Sequence, residues 1–412
     1  MRATGVAWLP HVPNSWKIAG AGVIFRESKS IAPDDLSVLT PSKEYGVVTR
    51  EEYSRLSGHR PNENIATTHL MRHVIPGDFI ITMGSFESGI EYSKIEGKIT
   101  PHYRVLRPTI QVHDGYYKWL FKSKPLIDGL ASIATEIRKG QEINYNKFSR
   151  LTIPLPDYPT QCRIADYLDR ETAQIDAMTE ALDQLVARLE ERRRSVVSNL
   201  IRIAEDFDDL RQSTRLGLVS EIIRRGISPT YADEGLPVVN QKCVRQNGVF
   251  EPKSRRNHSE SKRQVPQELI LQEGDALVNS TGTGTLGRSC IVRGISEHTT
   301  WDSHVTVVRP RKQLLLPSFL NFVLLDNENR FVELSQGSTN QIELSRDVVF
   351  NLPIPLPPLD EQRRIADHLD GETAKIDAMI AKAGELRALL DERRNALITA
   401  SVTGQHPVPE EP

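Results

Sequence analysis

The sequence has few cysteines and no long apolar run. Its three cysteines, Cys162, Cys243 and Cys290, lie far apart and form no C-x-x-C pair, which predicts a reduced, cytoplasmic protein and argues against a cysteine-based metal site. No apolar run approaches the roughly 18 residues that a membrane span needs. The first residues, Met1 to Trp16, lack the basic and apolar pattern of a signal peptide.

The sequence also lacks the common catalytic motifs. It contains no G-x-x-x-x-G-K-[ST] loop, no H-E-x-x-H, no G-x-S-x-G and no Asn/Asp-Pro-Pro-aromatic motif of an amino-methyltransferase. His69 and His73 have the i, i+4 spacing of a metal pair but no evident third ligand. We therefore predict no catalytic residue and no metal ligand in this chain.

The net charge of -2 hides an uneven distribution along the 412 residues, a length that suits two or three domains. Residues 1–150 carry a net charge of +5 and residues 211–350 one of +3, whereas the remaining segments together carry -10. Two mildly basic modules thus alternate with two acidic segments. A local basic face is compatible with nucleic-acid binding, although charges of this size are also ordinary for a solvated surface.

An internal repeat with an offset of 201 residues organises the chain. The segments 151–201 and 352–402 are identical at 25 of 51 positions, and QCRIADYLDRETAQIDAM in the first corresponds to QRRIADHLDGETAKIDAM in the second. Each copy follows a longer module of similar length. The segment was therefore duplicated, and the chain reads as module, helix, module, helix.

The sequence of each copy predicts a proline-rich segment followed by one long helix, because about 40 residues without a proline come after the prolines. Apolar residues recur at heptad spacing. The first copy has Leu168, Ile175, Leu182, Leu189 and Val196 with Met178 and Leu185; the second has Leu369, Ile376, Ala383, Leu390 and Leu397 with Met379 and Leu386. We expect the two helices to pack on each other along this seam. Each would be about 60 Å long and could set a distance between the modules.

Charged residues interrupt this seam. Glu171, Arg192, Glu372 and Arg393 fall at seam-like positions. They either lie near helix ends and extend into solvent, or meet a partner subunit.

The intervening modules predict β-strands, which makes the fold class α+β. Both contain Gly-Asp, an alternating strand, a glycine-rich turn and a strand that ends in Val-x-Arg-Pro. The strands run from Val74 to Thr82 and from Asp275 to Ser280, and the later ones close at Pro108 and Pro310. The two modules are therefore distant copies as well.

GTGTLG, at Gly282 to Gly287, matches G-x-G-x-x-G literally. A dinucleotide site needs a helix after this motif, but Arg288 to Val292 reads as a strand. We favour a tight turn whose N–H groups and hydroxyls can approach a phosphate or a base edge, with a plain hairpin turn as the alternative.

The repeated pattern IPLPxxxxQxRIAxxLDxETAxIDAM resembles the conserved regions of specificity (S) subunits of type I restriction–modification enzymes, and so does the ending from Glu392 to Gly404. The resemblance implies target-recognition domains at 1–150 and 206–350. It implies a central conserved helical region at 151–205 and a distal one at 351–404, and we expect residues 405–412 to form a disordered tail. It also implies that the long helices pair as an antiparallel coiled coil.

The family further implies that each target-recognition domain reads one half of a bipartite site in double-stranded DNA. The helices would act as a spacer and dock modification (M) subunits, two of them in our expectation, with restriction (R) subunits in the full complex. S-adenosylmethionine, Mg and ATP would bind those partner subunits and none would bind this chain. Residues expected at the docking surface are Arg163, Arg192, Arg193, Gln362, Arg364 and Arg393.

Donor-rich loops in both modules supply the candidate DNA contacts, since Arg suits guanine and phosphate and Asn or Gln suits adenine. The candidates are Ser85, Ser88, Gly89, Lys139, Asn240, Gln241, Lys242, Arg255, Arg256, Asn257, Lys262, Arg263, Ser280, Thr281, Gly282, Thr283, Arg288, Ser338, Asn340 and Gln341. Two alternatives remain open. The chain could be a coiled-coil protein-interaction scaffold without sequence-specific DNA binding, or an enzyme with an unrecognised nucleotide site at Gly282 to Gly287.

Overall fold

The computed structural model divides into two compact units. Unit 1 comprises Met1–Leu182 and Glu385–Pro412, and unit 2 comprises Asp183–Gly384. The structure describes residues 1–61, 70–81, 89–133, 135–137, 140–143, 145–206, 213–259, 265–282, 284–295, 298–335 and 343–409. The boundary between the two units falls inside both long helices. The domains predicted from the sequence follow the repeat instead, and their boundaries stay a prediction.

Unit 1 contains short strands and short helices. The strands are β1 (Arg2–Val6), β2 (Leu9–Val12), β3 (Lys17–Gly20), β4 (Phe25–Ser28), β5 (Leu39–Ser42), β6 (Gly46–Thr49), β7 (Arg72–Val74), β8 (Phe79–Ile81), β9 (Ile90–Tyr92), β10 (Gly97–Ile99), β11 (Arg104–Pro108), β12 (Thr135–Ile137), β13 (Gly140–Glu142) and β14 (Thr152–Leu155). The short helices are α1 (Ala21–Ile24), α2 (Arg50–Ser57), α3 (Asp114–Lys122), α4 (Lys124–Ile133) and α5 (Tyr145–Ser149).

Unit 2 is also built from short strands and short helices. Its strands are β15 (Ser213–Arg215), β16 (Ser220–Arg225), β17 (Tyr231–Ala232), β18 (Leu236–Val239), β19 (Arg256–His258), β20 (Ala276–Asn279), β21 (Ser289–Ile291), β22 (Thr300–Trp301), β23 (Val305–Pro310) and β24 (Pro353–Pro355). Its short helices are α7 (Pro317–Asp326), α8 (Glu328–Leu334) and α9 (Arg346–Phe350).

Two long helices follow the proline-rich leads, as predicted: α6 (Tyr158–Asp206) and α10 (Leu359–Val402). The start of α6 is fixed by Asp157, whose carboxylate accepts the backbone N–H of Thr160 at 2.8 Å, an N-cap that satisfies an otherwise unpaired donor of the first turn. Unit 1 holds the beginning of α6 and the end of α10, and unit 2 holds the other two parts. Within each unit, segments of the two helices share one core.

The same antiparallel sheet occurs in both units. Unit 1 has the strand order β4-β11-β8-β9 and unit 2 the order β16-β23-β20-β21, and every neighbouring pair is antiparallel. Unit 2 adds a smaller sheet of order β17-β19-β18-β22. The shared order confirms that the two modules are copies of one mixed helix-and-sheet fold.

An arginine–aspartate pair ties the strands of each sheet together. The aspartate is buried in both units, whereas the arginine is buried in unit 2 and half-buried in unit 1. In unit 2, Arg309 donates through Nε and Nη2 to the two carboxylate oxygens of Asp275, each at 2.7 Å, and Asp275 also accepts the N–H of Gln272 at 2.8 Å. In unit 1, Arg107 and Asp78 form the corresponding pair at 2.8 and 2.7 Å. The aspartates belong to the Gly-Asp motif and the arginines to the Val-x-Arg-Pro motif. The two motifs of each module therefore bind each other through two hydrogen bonds.

A buried glutamine joins each long helix to its module. The side-chain oxygen of Gln161 accepts the N–H of His113 at 2.8 Å, and its nitrogen donates to Pro156 O at 2.8 Å. Gln362 makes the equivalent bonds to Leu316 and Pro357 and adds one to Leu314 O. The prediction that Gln362 docks a partner is therefore wrong, because its side chain is fully buried and its hydrogen-bonding groups serve the fold.

One row of the predicted heptad seam is buried, including Leu168, Ile175, Leu369 and Ile376. The second row is exposed: Met178, Leu185, Met379 and Leu386 each have 44–51% of their surface in solvent. The two helices thus pack on each other along one row of the seam and not along both. A single facing helix covers a narrow stripe of its partner, and the second row points away from it.

Charged residues of the two long helices pair with each other within the units. In unit 2, Arg193 of α6 donates through Nε to Asp377 of α10 at 2.9 Å. In unit 1, Arg394 of α10 pairs with Asp176 of α6. These are the same two repeat positions with the helices exchanged. Arg393 approaches Glu171 to 3.8 Å in unit 1.

The chain continues past α10 in contact with unit 1. Gln405 and His406 both donate their N–H groups to Ala400 O, at 2.8 and 3.0 Å, and Val408 packs against the unit 1 core. These residues belong to the segment expected to be a disordered tail.

We expect Asp275→Asn to lower the free energy of unfolding of unit 2 by about 3 kcal/mol, since it leaves the guanidinium of Arg309 buried without a counter-charge. Urea denaturation followed by circular dichroism measures this. The matched control is Glu268→Gln, which breaks the exposed pair with Arg224 and should change the stability by no more than about 0.5 kcal/mol. Equal effects of the two substitutions would contradict the structural role of the buried pair.

Candidate nucleic-acid interface

Polar side chains meet at one end of the unit 2 sheet, where β16 and β20 end and β23 begins. We call this the loop end of the sheet. The residues form a connected group, which we call the polar cluster: Tyr231, Gln241, Arg256, Thr281, Asp302 and His304. The cluster joins the two four-stranded sheets of unit 2, because Asp302 follows β22 of one and Thr281 follows β20 of the other.

Gln241, Thr281 and His304 form one half of the cluster. The Gln241 amide nitrogen donates to Thr281 O at 2.5 Å and to Thr281 Oγ1 at 2.7 Å. Thr281 Oγ1 lies 2.8 Å from His304 Nδ1. Gln241 lies 40 residues before Thr281, and His304 lies 23 residues after it. These bonds therefore hold three separate loops together as one surface.

Asp302, Tyr231 and Arg256 form the other half. Asp302 is buried and accepts the His304 N–H at 2.9 Å and the Tyr231 hydroxyl at 3.2 Å. Burial raises the pKa of Asp302, while burial and the Asp302 charge raise the pKa of Tyr231. The guanidinium of Arg256 lies 3.5 Å from the centre of the Tyr231 ring, a cation–π contact that holds an exposed arginine in place.

The G-x-G-x-x-G match lies in a hairpin between β20 and β21, which pair antiparallel. Gly282 has φ of +98°, and its carbonyl accepts the N–H groups of Thr285 and Leu286 at 3.2 and 3.1 Å. A strand and not a helix follows, as predicted, so the geometry does not support the dinucleotide-binding alternative.

Three predicted DNA contacts are buried and carry structural roles. Ser280 is fully buried, and its hydroxyl lies 2.6 Å from that of Thr306. Asn240 caps a short turn by accepting the N–H of Lys242 at 2.8 Å and donates to Ser254 O at 3.0 Å. Gly89 is buried with φ of +75°, and a Cβ there would overlap Phe121 O. The prediction of DNA contact through these positions is corrected, because their polar groups or backbone geometry are already used.

Other predicted residues lie near the cluster with partial exposure. Arg255 donates to Pro252 O at 2.9 Å and to Thr299 at 3.3 Å, and Asn257 donates to Asp233 O at 2.6 Å. Lys242 is exposed next to Gln241. Arg288 is half-buried beside Glu328, a carboxyl whose pKa burial raises to about 7.

The remaining predicted DNA contacts lie outside the described residues: Ser85, Ser88, Lys139, Lys262, Arg263, Thr283, Ser338, Asn340 and Gln341. Their assignment stays a prediction.

The predicted docking residues are buried, half-buried or exposed. Arg193 is 7% exposed and bound to Asp377, so its assignment to a partner is wrong for the same reason as that of Gln362. Arg163 is half-buried and donates to Thr160 at 3.1 Å. The exposed ones are Arg192, Arg364 and Arg393.

Tyr231, Asp302 and His304 were missed by the sequence analysis. The one available signal was Asp302-Ser303-His304 immediately before the strand ending in Val-x-Arg-Pro, a polar turn at a strand end.

Among the described residues, no group of three or more His, Cys, Asp or Glu side chains could hold a metal ion. His69 lies outside them. None of the helices in the described ranges is long and apolar enough to cross a membrane.

Comparison with known proteins supports the resemblance found in the sequence. Residues 219–385 match the sequence model of the type I restriction modification DNA specificity domain. The chain is 26% identical over 182 residues to the type I restriction enzyme StySPI specificity subunit of Salmonella potsdam, and 26% over 183 residues to the EcoKI specificity subunit of Escherichia coli. It is 29% identical over 176 residues to the putative MjaX specificity subunit of Methanocaldococcus jannaschii. These matches span 40–42% of this chain and 37–41% of the relatives' own length.

Two solved structures share the fold. One is a chain from a structural study of complex assembly in the type I R-M system, with a TM-score of 0.69 and 20% identity over 96% of this chain and 100% of that chain. The other is the HsdS subunit from Thermoanaerobacter tengcongensis, with a TM-score of 0.56 and 19% identity over 98% of this chain and 100% of that chain. The predicted resemblance to the specificity subunits of type I restriction–modification systems is therefore confirmed.

We predict that Gly282→Ala lowers the free energy of unfolding of unit 2 by about 2–3 kcal/mol, since a Cβ would lie 2.5 Å from Thr285 Oγ1 and 3.1 Å from the Gln241 amide in addition to the strain of a positive φ. Gly284→Ala is the matched control. It has φ of +79° but open space around the Cβ position, so only about 1 kcal/mol should be lost. Urea denaturation of both variants compares them, and a smaller loss for Gly282→Ala would show that the turn does not constrain Gln241.

Proposed function

We propose that this chain is the DNA sequence-recognition subunit of a type I restriction–modification complex, and that each unit reads one half of a bipartite site. The observation that carries the proposal is the duplicated module: two sheets of the same strand order, each closed by the same arginine–aspartate pair. Two similar readers on one chain suit a site made of two different halves.

The polar cluster supports direct reading of bases by unit 2. It offers an amide, a hydroxyl, an imidazole and a guanidinium at the loop end of one sheet. Such groups match the donor and acceptor patterns of base edges in the major groove, and exposed Lys242 and Arg256 can neutralise phosphates.

The chain itself is non-catalytic in this proposal. Modification subunits, two per complex, bring S-adenosylmethionine and methylate the DNA, and restriction subunits add ATP- and Mg-dependent cleavage in the full assembly. The exposed apolar row of the long helices supports a docking role: Met178 and Leu386 belong to unit 1, and Leu185 and Met379 to unit 2. Exposed apolar side chains on a helix suit a partner's apolar surface. The complex works on DNA in the cytoplasm.

The long helices form an antiparallel coiled coil and set the gap between the half-sites. The Arg193–Asp377 and Arg394–Asp176 pairs join the same two repeat positions with the two helices exchanged, which supports this arrangement. Ion pairs between helices fix their register, so the spacing would be a property of this chain and not of its partners.

Replacing residues 211–350 with the equivalent module of another specificity subunit should change one half of the methylated sequence and leave the other half unchanged. The measurement is methylome sequencing of cells that express the variant with its modification subunits. Wild type supplies the control. A wild-type complex that methylates no split sequence, or an exchange that alters both halves, would contradict the proposal.

Inserting one heptad into each long helix, at matched repeat positions, should widen the gap between the half-sites while both half-sequences stay the same. A heptad adds about 10 Å of helix, close to three base pairs at about 3.4 Å each. The same methylome assay reads the gap. An unchanged gap would remove the role of the helices as a spacer.

A further inference from the structure

His304 is an exposed imidazole whose backbone is fixed on both sides at the loop end of the unit 2 sheet. Its N–H donates to Asp302 Oδ1 at 2.9 Å, and its carbonyl accepts the N–H of Ser280 at 2.8 Å. Asp302 and Ser280 are both buried. The side chain therefore projects from a rigid base, which lowers the entropy cost of using it for recognition.

The hydrogen bonds around Thr281 favour one position for the proton on the His304 ring. Gln241 Nε2 must be the amide nitrogen, since it donates to a carbonyl oxygen, Thr281 O. The same nitrogen donates to Thr281 Oγ1, and His304 Nδ1 lies 2.8 Å from that oxygen. In the arrangement that forms the basis of the proposal below, the Thr281 hydroxyl hydrogen donates to Nδ1. A neutral imidazole that accepts at Nδ1 carries its proton on Nε2.

This arrangement presents an N–H donor at the outer edge of the polar cluster. Within the described part of the chain, no side chain binds His304 Nε2. The N7 atom of adenine and of guanine is an acceptor in the major groove, and a ring that donates through Nε2 suits it. We propose that His304 contacts the N7 of a purine in the half-site read by unit 2, and is a specificity-determining residue; this rests on the proposed function.

A phosphate oxygen would accept the same hydrogen bond, and the two contacts differ in their consequences. A base contact acts at one position of the sequence, whereas a phosphate contact weakens binding to all sequences and lowers the salt dependence. With Nδ1 occupied by Thr281, the ring offers the single atom Nε2, which suits one acceptor atom of a base edge. Replacing N7 by carbon in 7-deazapurines removes the acceptor and separates the two contacts.

The experiment measures the affinity of the complex with its modification subunits for duplexes that carry the recognised site. Each purine of the half-site assigned to residues 211–350 is replaced in turn by its 7-deaza analogue. At one position the analogue should weaken wild-type binding about fivefold, the value of one neutral hydrogen bond. His304→Phe should weaken binding to the unmodified site by the same factor and show no further loss with the analogue at that position.

Two variants serve as comparisons. His298→Phe makes the same change at another exposed histidine of unit 2 and should leave the affinities and the deaza effect unchanged. Thr281→Val removes the hydroxyl that orients the ring and should reduce the deaza effect at the same position only. Thermal denaturation checks that His304→Phe folds as wild type.

The inference is overturned if His304→Phe keeps the full deaza effect at every purine, or weakens binding to specific and random duplexes equally, as a phosphate contact would. A wild-type complex without preference for any split sequence would instead overturn the proposed function, and that result needs no His304 variant.

Discussion

The arginine–aspartate pair, fully buried in unit 2 and half-buried on its arginine side in unit 1, is the constraint on which each module depends. Arg309 lies at the end of β23 and Asp275 just before β20, so two charge-assisted hydrogen bonds lock one end of two neighbouring strands. Removing either partner leaves a buried charge without compensation. Because β20 and β23 are held in register at this end, the turns at their other end, which carry Thr281 and His304, meet at hydrogen-bonding distance.

Duplication explains why some polar residues that the sequence suggests as partner contacts instead make contacts within the chain. Gln161 and Gln362 each fasten a long helix to its module, and Arg193 and Arg394 each reach an aspartate on the other long helix. A repeated motif can mark a contact between partners or a contact made twice within one chain. Arg193 and Gln362 are buried and make contacts of the second kind, whereas Arg192, Arg364 and Arg393 are exposed.

The candidate site shows where reasoning from sequence stops. Gln241, Arg256 and Thr281 were found because their residue types suit DNA. Asn240 and Ser280 have equally suitable side chains, but their hydrogen-bonding capacity is used by Ser254 and Thr306. Asp302 and His304 were missed because nothing in their local sequence separates a recognition loop from an ordinary turn. Their roles arise from partners that lie 23 and 71 residues away in the chain.

The sequence by itself determined the duplication, the two long helices, the strands that flank the glycine-rich turns and the resemblance to specificity subunits. Periodicity and repetition are local properties, and residues close in the chain express them. Only the tertiary structure decided which heptad row is buried, which arginines are paired, and which polar loops form one surface. Those outcomes depend on contacts between distant segments, where one neighbouring side chain determines whether a donor is already satisfied or faces outward.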